Sequence, residues 1–229
     1  MAHPSSPGWC HGWEAQPADF LQFLPVGMTE RRCLTGGMAL ADVAAAFAAV
    51  DRAEFLRPRD RMDAYLDGPI PIGHGQTNSQ PRTVRAMLEL LDVRSGQKIL
   101  DVGSGSGWTT ALLAWLVGPS GSVLGVELEP DLAAWGAENL RRQETPWASI
   151  RPAEPDVLGI PSEAPFDRVL VSATARKLPK ALVRQLAADG VMVVPVGSTM
   201  TRVRRTGPDR ANVDITTHGS YSFVPLRRR

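Results

Sequence analysis

The sequence is short of several things, and each shortage closes off a class of protein. Two cysteines occur in 229 residues, Cys10 and Cys33, too few for a disulfide framework or for the roughly four ligands of a structural zinc site. Reduced thiols in a cytoplasmic setting are expected, and no metal. The opening Met-Ala-His-Pro-Ser-Ser-Pro has neither a basic nor an apolar signal region, and no run of about 18 apolar residues follows. Export and membrane association are not expected. An excess of one charge is also missing: 25 basic against 24 acidic residues leave a net +1, whereas binders of phosphate backbones usually carry a basic face. Nucleic acid is not an expected partner. Lysine is scarce, with Lys98, Lys177 and Lys180 the three among 25 basic residues, a bias of composition and not of mechanism.

What remains is ordinary globular material, 43% hydrophobic and 21% charged, of a length that suits one α/β domain with extensions. Residues 1–35 are rich in Pro, Gly and Trp and read as an irregular arm whose Trp9, Trp13, Phe20 and Phe23 are candidates to pack on the body; residues 36–229 form the main domain. An Ala-rich helix is expected over Met38–Val50 and a charged continuation over Asp51–Arg61. DGPIPIGHGQTNSQP, from Asp67 to Pro81, reads as a long loop without structure of its own, the kind that is usually functional. Helical spacing resumes over Thr83–Leu91.

From Lys98 onward strand and helix patterns alternate. Strands are expected at Lys98–Val102, Ser122–Glu127, Ser149–Arg151, Arg168–Ser172 and Val191–Val196, with helices at Thr109–Val117, Asp131–Arg142 and Lys180–Ala187. This predicts an α/β fold, a doubly wound, mostly parallel sheet with helices on both faces. Thr201–Thr206, Asn212–Thr217 and Ser220–Pro225 look like β segments and predict antiparallel strands at the C-terminal end.

Directly after the first of these strands comes Asp101-Val102-Gly103-Ser104-Gly105-Ser106-Gly107. Glycines at this spacing allow a sharp turn and let a ligand approach the backbone. The pattern is one residue short of the dinucleotide fingerprint, and no Lys follows as in a phosphate loop. Glu127 ends the next strand, where a carboxylate can accept hydrogen bonds from both hydroxyls of a ribose. Asp101 would be badly placed beside a diphosphate but well placed near the ammonium of S-adenosylmethionine, directly or through water. Acid, three glycines and acid therefore favour that cofactor over NAD, although an NAD-dependent oxidoreductase on the same sheet stays open.

Ile72-Gly73-His74-Gly75-Gln76-Thr77-Asn78-Ser79-Gln80-Pro81 resembles the substrate-loop signature of the protein-L-isoaspartate O-methyltransferases. The resemblance extends in order through Leu100–Gly107, Ala164–Asp167, Val194–Gly197 and Phe223–Leu226. It implies a Rossmann-like class I methyltransferase that esterifies an isoaspartyl carboxylate of a peptide or protein, with S-adenosyl-L-homocysteine as the spent cofactor. By the same resemblance Ser79 contacts the acceptor carboxylate, and Gln76, Thr77, Asn78, Ala173, Val224 and Pro225 border the peptide. Asp101, Gly103, Ser104, Gly105, Gly107, Glu127 and Leu128 would hold the cofactor. Ser79 could instead simply cap the following helix, and His74 reads as a packing or surface residue.

Three departures from the family pattern stand out. The usual Gly-Asp-Gly that meets the adenine amino group is replaced by Glu154-Pro155-Asp156, so either acid is a candidate for that contact. Asn78 replaces the common Ile, which makes that wall more polar, and Thr174-Ala175-Arg176-Lys177 replaces a Pro-rich segment, its two cations read either as recognising an acidic substrate or as a solvated turn. With the N-terminal arm, these changes raise a second reading: a tailoring enzyme that esterifies Asp in a ribosomally made, modified peptide, giving an aspartimide.

Overall fold

The computed structural model describes residues 42–207, 209 and 212–227. The arm expected at 1–35, with its aromatic residues and both cysteines, lies outside the described residues, as do the first residues of the Ala-rich run. Within them α1 (Val43–Ala49) begins where the Asp42 carboxylate accepts from the N–H groups of Ala44 and Ala45. The Asp51 carboxylate accepts from the Ala53 N–H and starts the 3-10 helix Arg52–Phe55, and Pro58 opens a second one, Pro58–Tyr65. The charged segment is thus two tight turns and not a continuation of the helix.

The segment expected to be a structureless loop holds an antiparallel hairpin, β1 (Ile70–Gly73) and β2 (Gln76–Asn78). Ile70 and Ile72 alternate inward, while Gly73, His74 and Gly75 at the turn all adopt positive φ. α2 (Pro81–Leu91) buries Val84, Met87, Leu88 and Leu91 on one face, the period of an amphipathic helix. There follow β3 (Lys98–Val102), α3 (Trp108–Val117), β4 (Ser122–Glu127), α4 (Pro130–Arg141), β5 (Ala148–Pro152) and β6 (Phe166–Val171). The chain closes with α5 (Lys180–Val183), β7 (Leu186–Val196), β8 (Thr199–Arg205) and β9 (Val213–Ser220).

Seven strands lie in the order β5-β4-β3-β6-β7-β8-β9. They pair in parallel as far as β7 and antiparallel beyond it. Ile99 of β3 points to one core, shared with α1, α2 and α3, and Leu100 and Val102 point to the other, the alternation that a strand imposes. The expected fold class is observed, with unequal faces: the second core is closed by α5 and by Leu158 and Ile160 from the chain between β5 and β6.

Two expected elements differ. The helix expected to reach Ala187 stops at Val183 because Leu186, fully buried, pairs with Phe166 and joins β7. Of the segment expected at Ser220–Pro225, Ser220 alone belongs to a strand, as the last residue of β9. The Tyr221 N–H donates to Ser198 O, and Pro225, which has no N–H to donate, forms an isolated bridge with Thr174. The chain thereby leaves the sheet edge and crosses the ends of the parallel strands.

Gly136 of α4 sits against the turn after β3: a Cβ there would meet the Gly105 carbonyl oxygen at 2.6 Å. On an open helix face Gly→Ala would gain about 1 kcal/mol. Here Gly136→Ala is expected to cost about 1–3 kcal/mol through overpacking, read as a lower midpoint in urea unfolding.

Candidate active site

β3 ends at the centre of the sheet, between β4 and β6, where connections depart in opposite directions and a crevice opens beyond the carboxyl ends of the strands. Gly103, Gly105 and Gly107 have φ of 82°, 52° and 97°, values that a side chain would oppose. Two acceptors hold the bend. Val126 O accepts from the Gly103 and Ser104 N–H groups at 2.8 and 3.2 Å. Glu127 Oε2 accepts from the Gly105 N–H at 2.9 Å, and its Oε1 from the Glu129 N–H at 3.1 Å. Glu127 therefore clamps the glycine bend to the entry of α4, and a carboxylate with about four acceptor positions still has two for a ligand.

Asp101 lies one layer behind. It is fully buried, and its Oδ2 accepts from the Thr109 and Thr110 hydroxyls at 2.8 and 2.7 Å. Thr109 lines the cleft; Asp101 and Gly107 do not. A direct contact of Asp101 with a cofactor in the cleft, one of the two possibilities expected, is therefore not what this arrangement offers: Thr109 stands between. Burial pushes the Asp101 carboxyl up to about 6, the two threonine hydrogen bonds opposing and the charge of Glu127 adding to the rise. A folded value above the ordinary 3.8 means that the stability this group contributes is complete below that value and lost as pH rises through about 6. Wild-type stability relative to Asp101→Asn is expected to fall across that window, and pH-dependent urea titrations of the two proteins measure it.

The cleft encloses about 950 Å³ including its mouth. From the expected cofactor side Gly103, Ser104, Gly105, Glu127, Leu128, Glu154 and Asp156 line it, and from the expected substrate side Gln76, Thr77, Asn78, Ser79, Ala173, Val224 and Pro225. Ser172, which opens the 172–178 segment that the resemblance set beside the peptide, is also in the wall, and sequence reasoning missed Ile72, Trp108, Leu226 and Arg227 there. The two aliphatic residues alternate or follow motifs already noted, but nothing local marks Trp108 or Arg227. Arg176 and Lys177 are exposed and outside this lining. His74 sits at the hairpin tip, its Nδ1 3.7 Å from Glu129 and its Nε2 3.8 Å from Asp131, a surface residue outside the wall. Ser79 does not cap α2. The N-cap is Gln80, without a side-chain cap bond, and the Asp67 carboxylate accepts from the Arg82 N–H at 3.0 Å instead.

The residue that orders the substrate side is Arg52, which the sequence presented only as part of a charged segment. It is 5% exposed. Its Nε donates to Asn78 Oδ1 at 2.7 Å, its Nη1 to the carbonyls of Ala64 and Leu66, and its Nη2 to those of Gly68, Asn78 and Ser79 at 2.8–3.2 Å. Burial lowers its pKa to about 10, with Asp67 opposing, so the guanidinium stays charged at neutral pH. Asn78 passes the connection on, its Nδ2 donating to Ser106 Oγ at 3.2 Å. The Asn that departs from the family's usual Ile is thus a buried bridge between hairpin and glycine bend as well as a part of the cleft wall. Arg52→Met would leave several carbonyls without a donor, at about 1–3 kcal/mol each. It is expected to lower stability by at least about 3 kcal/mol and to expose residues 64–79 to limited proteolysis before the rest of the chain unfolds.

Among the described residues the charged ones of the lining are Glu127, Glu154, Asp156 and Arg227, three acids to one base. Such a wall suits a cationic ligand bearing a ribose and repels a diphosphate. Fold and site together define a class I methyltransferase dependent on S-adenosylmethionine. Residues 30–229 match the family described as protein-L-isoaspartate(D-aspartate) O-methyltransferase. A relative of that name from Aeropyrum pernix is 42% identical over 230 residues, covering 97% of this chain and 87% of the relative. Another, from Anaeromyxobacter dehalogenans, is 47% identical over 198 residues, covering 83% and 92%. The solved structure of a Plasmodium falciparum protein assigned to the same enzymes, in complex with S-adenosyl-L-homocysteine, is similar with a TM-score of 0.68 at 25% identity, over 82% of this chain and 90% of that one. The chain belongs to the protein-L-isoaspartate O-methyltransferase family. The nicotinamide and peptide-tailoring readings find no support among these relatives.

Proposed function

We propose that this chain methylates the free carboxylate of L-isoaspartyl residues in peptides or proteins, using S-adenosylmethionine, with the activity housed in residues 36–229. The observation that carries the reading is that the glycine bend and the hairpin's Gln76–Ser79 segment face one continuous cleft in a chain of this family. On the cofactor side, Glu127 would accept from the ribose hydroxyls, and Glu154 or Asp156 from the adenine amino group. Gly103, Ser104, Gly105 and Leu128 would form the walls, while Thr109 and, through it, Asp101 would face the ammonium. When bound, S-adenosylmethionine supplies a methyl group on a sulfonium, and its transfer makes an O–CH3 bond as the S–CH3 bond breaks.

The chain's own part is positional. A carboxylate with a reference pKa near 4 is already ionised at neutral pH, so no base has to remove a proton. Orientation of the acceptor oxygen can supply about 7–11 kcal/mol of the barrier. Ser79 would donate a hydrogen bond that sets this orientation, with Gln76, Thr77, Asn78, Ala173, Val224 and Pro225 enclosing the peptide. Opposite charges cancel in the reaction, so the hairpin also helps by keeping water out.

Incubated with isoaspartyl, aspartyl and cyclised aspartyl peptides, the protein is expected to add one methyl group to the first alone, as read by mass spectrometry. Methylation of the cyclised aspartyl peptide and not the isoaspartyl one would overturn the assignment. Ser79→Ala is expected to lower turnover by about 10–100-fold, the worth of one hydrogen bond to a charged group, with the dissociation constant for S-adenosyl-L-homocysteine unchanged in calorimetry. Glu127→Gln is expected to do the reverse, weakening that dissociation constant by about tenfold or more.

A further inference from the structure

Beside the donor cleft lies a second depression, lined by Pro69, Gln80, Arg82 and a set of hydroxyl-bearing residues that includes Thr83, Ser220, Tyr221 and Ser222. Thr77, Ser79, Ser172 and Val224 line both spaces. These four residues mark the place where a peptide in the groove would meet a methyl donor in the cleft.

Ser172 is the one whose role nothing above accounts for. It follows β6 directly, and its backbone N–H donates to Val102 O at 2.9 Å, which fixes it beside the end of β3. Its side chain adjoins the glycine bend: a Cβ placed on Gly103 would lie 3.9 Å from the Ser172 Cβ. Its hydroxyl oxygen is buried and has no hydrogen-bond partner among the described residues. Buried hydroxyls are normally satisfied, and leaving one unmade costs free energy comparable to a lost hydrogen bond. A hydroxyl kept in that state at the seam of two ligand spaces is suited to a partner that arrives with a ligand. None of the four residues shared by the two spaces is a cation, Arg82 of the groove and Arg227 of the cleft lying outside that set, so the donors at the seam itself are neutral.

We infer that Ser172 is a second acceptor-orienting residue, its hydroxyl donating to the acceptor carboxylate from the β6 side while Ser79 donates from the hairpin side. Two donors from elements that do not share a loop fix the plane of the carboxylate as well as its position. One oxygen is thereby turned toward the methyl group. The proposal rests on the isoaspartyl reading above and sharpens its substrate contacts.

The test compares wild type, Ser172→Ala, Ser172→Thr, Ser79→Ala and the double variant Ser79→Ala/Ser172→Ala on one isoaspartyl peptide, with S-adenosyl-L-homocysteine binding by calorimetry as the control for folding and for the donor site. Ser172→Ala is expected to lower kcat/KM about tenfold or more while the dissociation constant stays within about twofold, and Ser172→Thr, which keeps the hydroxyl, to retain activity. The double variant is expected to fall short of the product of the two single losses, as for residues that grip one group. Ser172→Ala at the wild-type rate, or a loss that follows weakened binding of S-adenosyl-L-homocysteine, would overturn the inference and leave the isoaspartyl reading standing. A wild-type protein inactive on the isoaspartyl peptide would instead bring down that reading itself.

Discussion

The site depends on one constraint: the chain must leave β3 in a bend tight enough to present backbone amides to the crevice, and something must hold that bend. Glycine makes the bend possible, but Glu127 and the Val126 carbonyl hold it. Both belong to β4, the neighbouring strand, so the parallel pairing of β3 with β4 is what brings the carboxylate to the Gly105 amide. The close approach of Gly136 to the same turn shows how little room is left behind it. An acid at the end of β4 thus has two tasks, one within the protein and one toward a ligand, and its four acceptor positions suffice for both.

The parts of this arrangement that were legible in the sequence are those set by near neighbours. β3 and β4 were expected with their observed ends, because buried parallel strands announce themselves as short apolar runs, and the glycine spacing located the crevice. Fourteen residues expected around the ligands do line one cleft. Asp101 and Gly107 were expected with them because the motif treats its members as equals. Neither lines the cleft, and the Asp101 carboxylate is turned toward Thr109 and Thr110.

What could not be read was set by distant partners. Arg52 lies among charged residues that promise only a solvated surface, and the six acceptors it reaches are 12 to 27 positions away. No periodicity encodes such contacts. The same blindness made the 67–81 segment look structureless, since an alternation of two residues, Ile70 and Ile72, is too short to mark a strand. The stretch at 220–225 misled in the other direction: its apolar character suits a strand, and only the turn at Tyr221 and the missing amide of Pro225 send it across the cleft.

Five of the six groups that Arg52 binds are main-chain carbonyls, and every residue type carries one. The path of the hairpin is consequently written into its backbone and largely indifferent to the side chains mounted on it. Such a scaffold can exchange what it displays to an incoming polypeptide without losing its shape. Exchange of the displayed side chains is then compatible with the same backbone path, while loss of the arginine that anchors it is not.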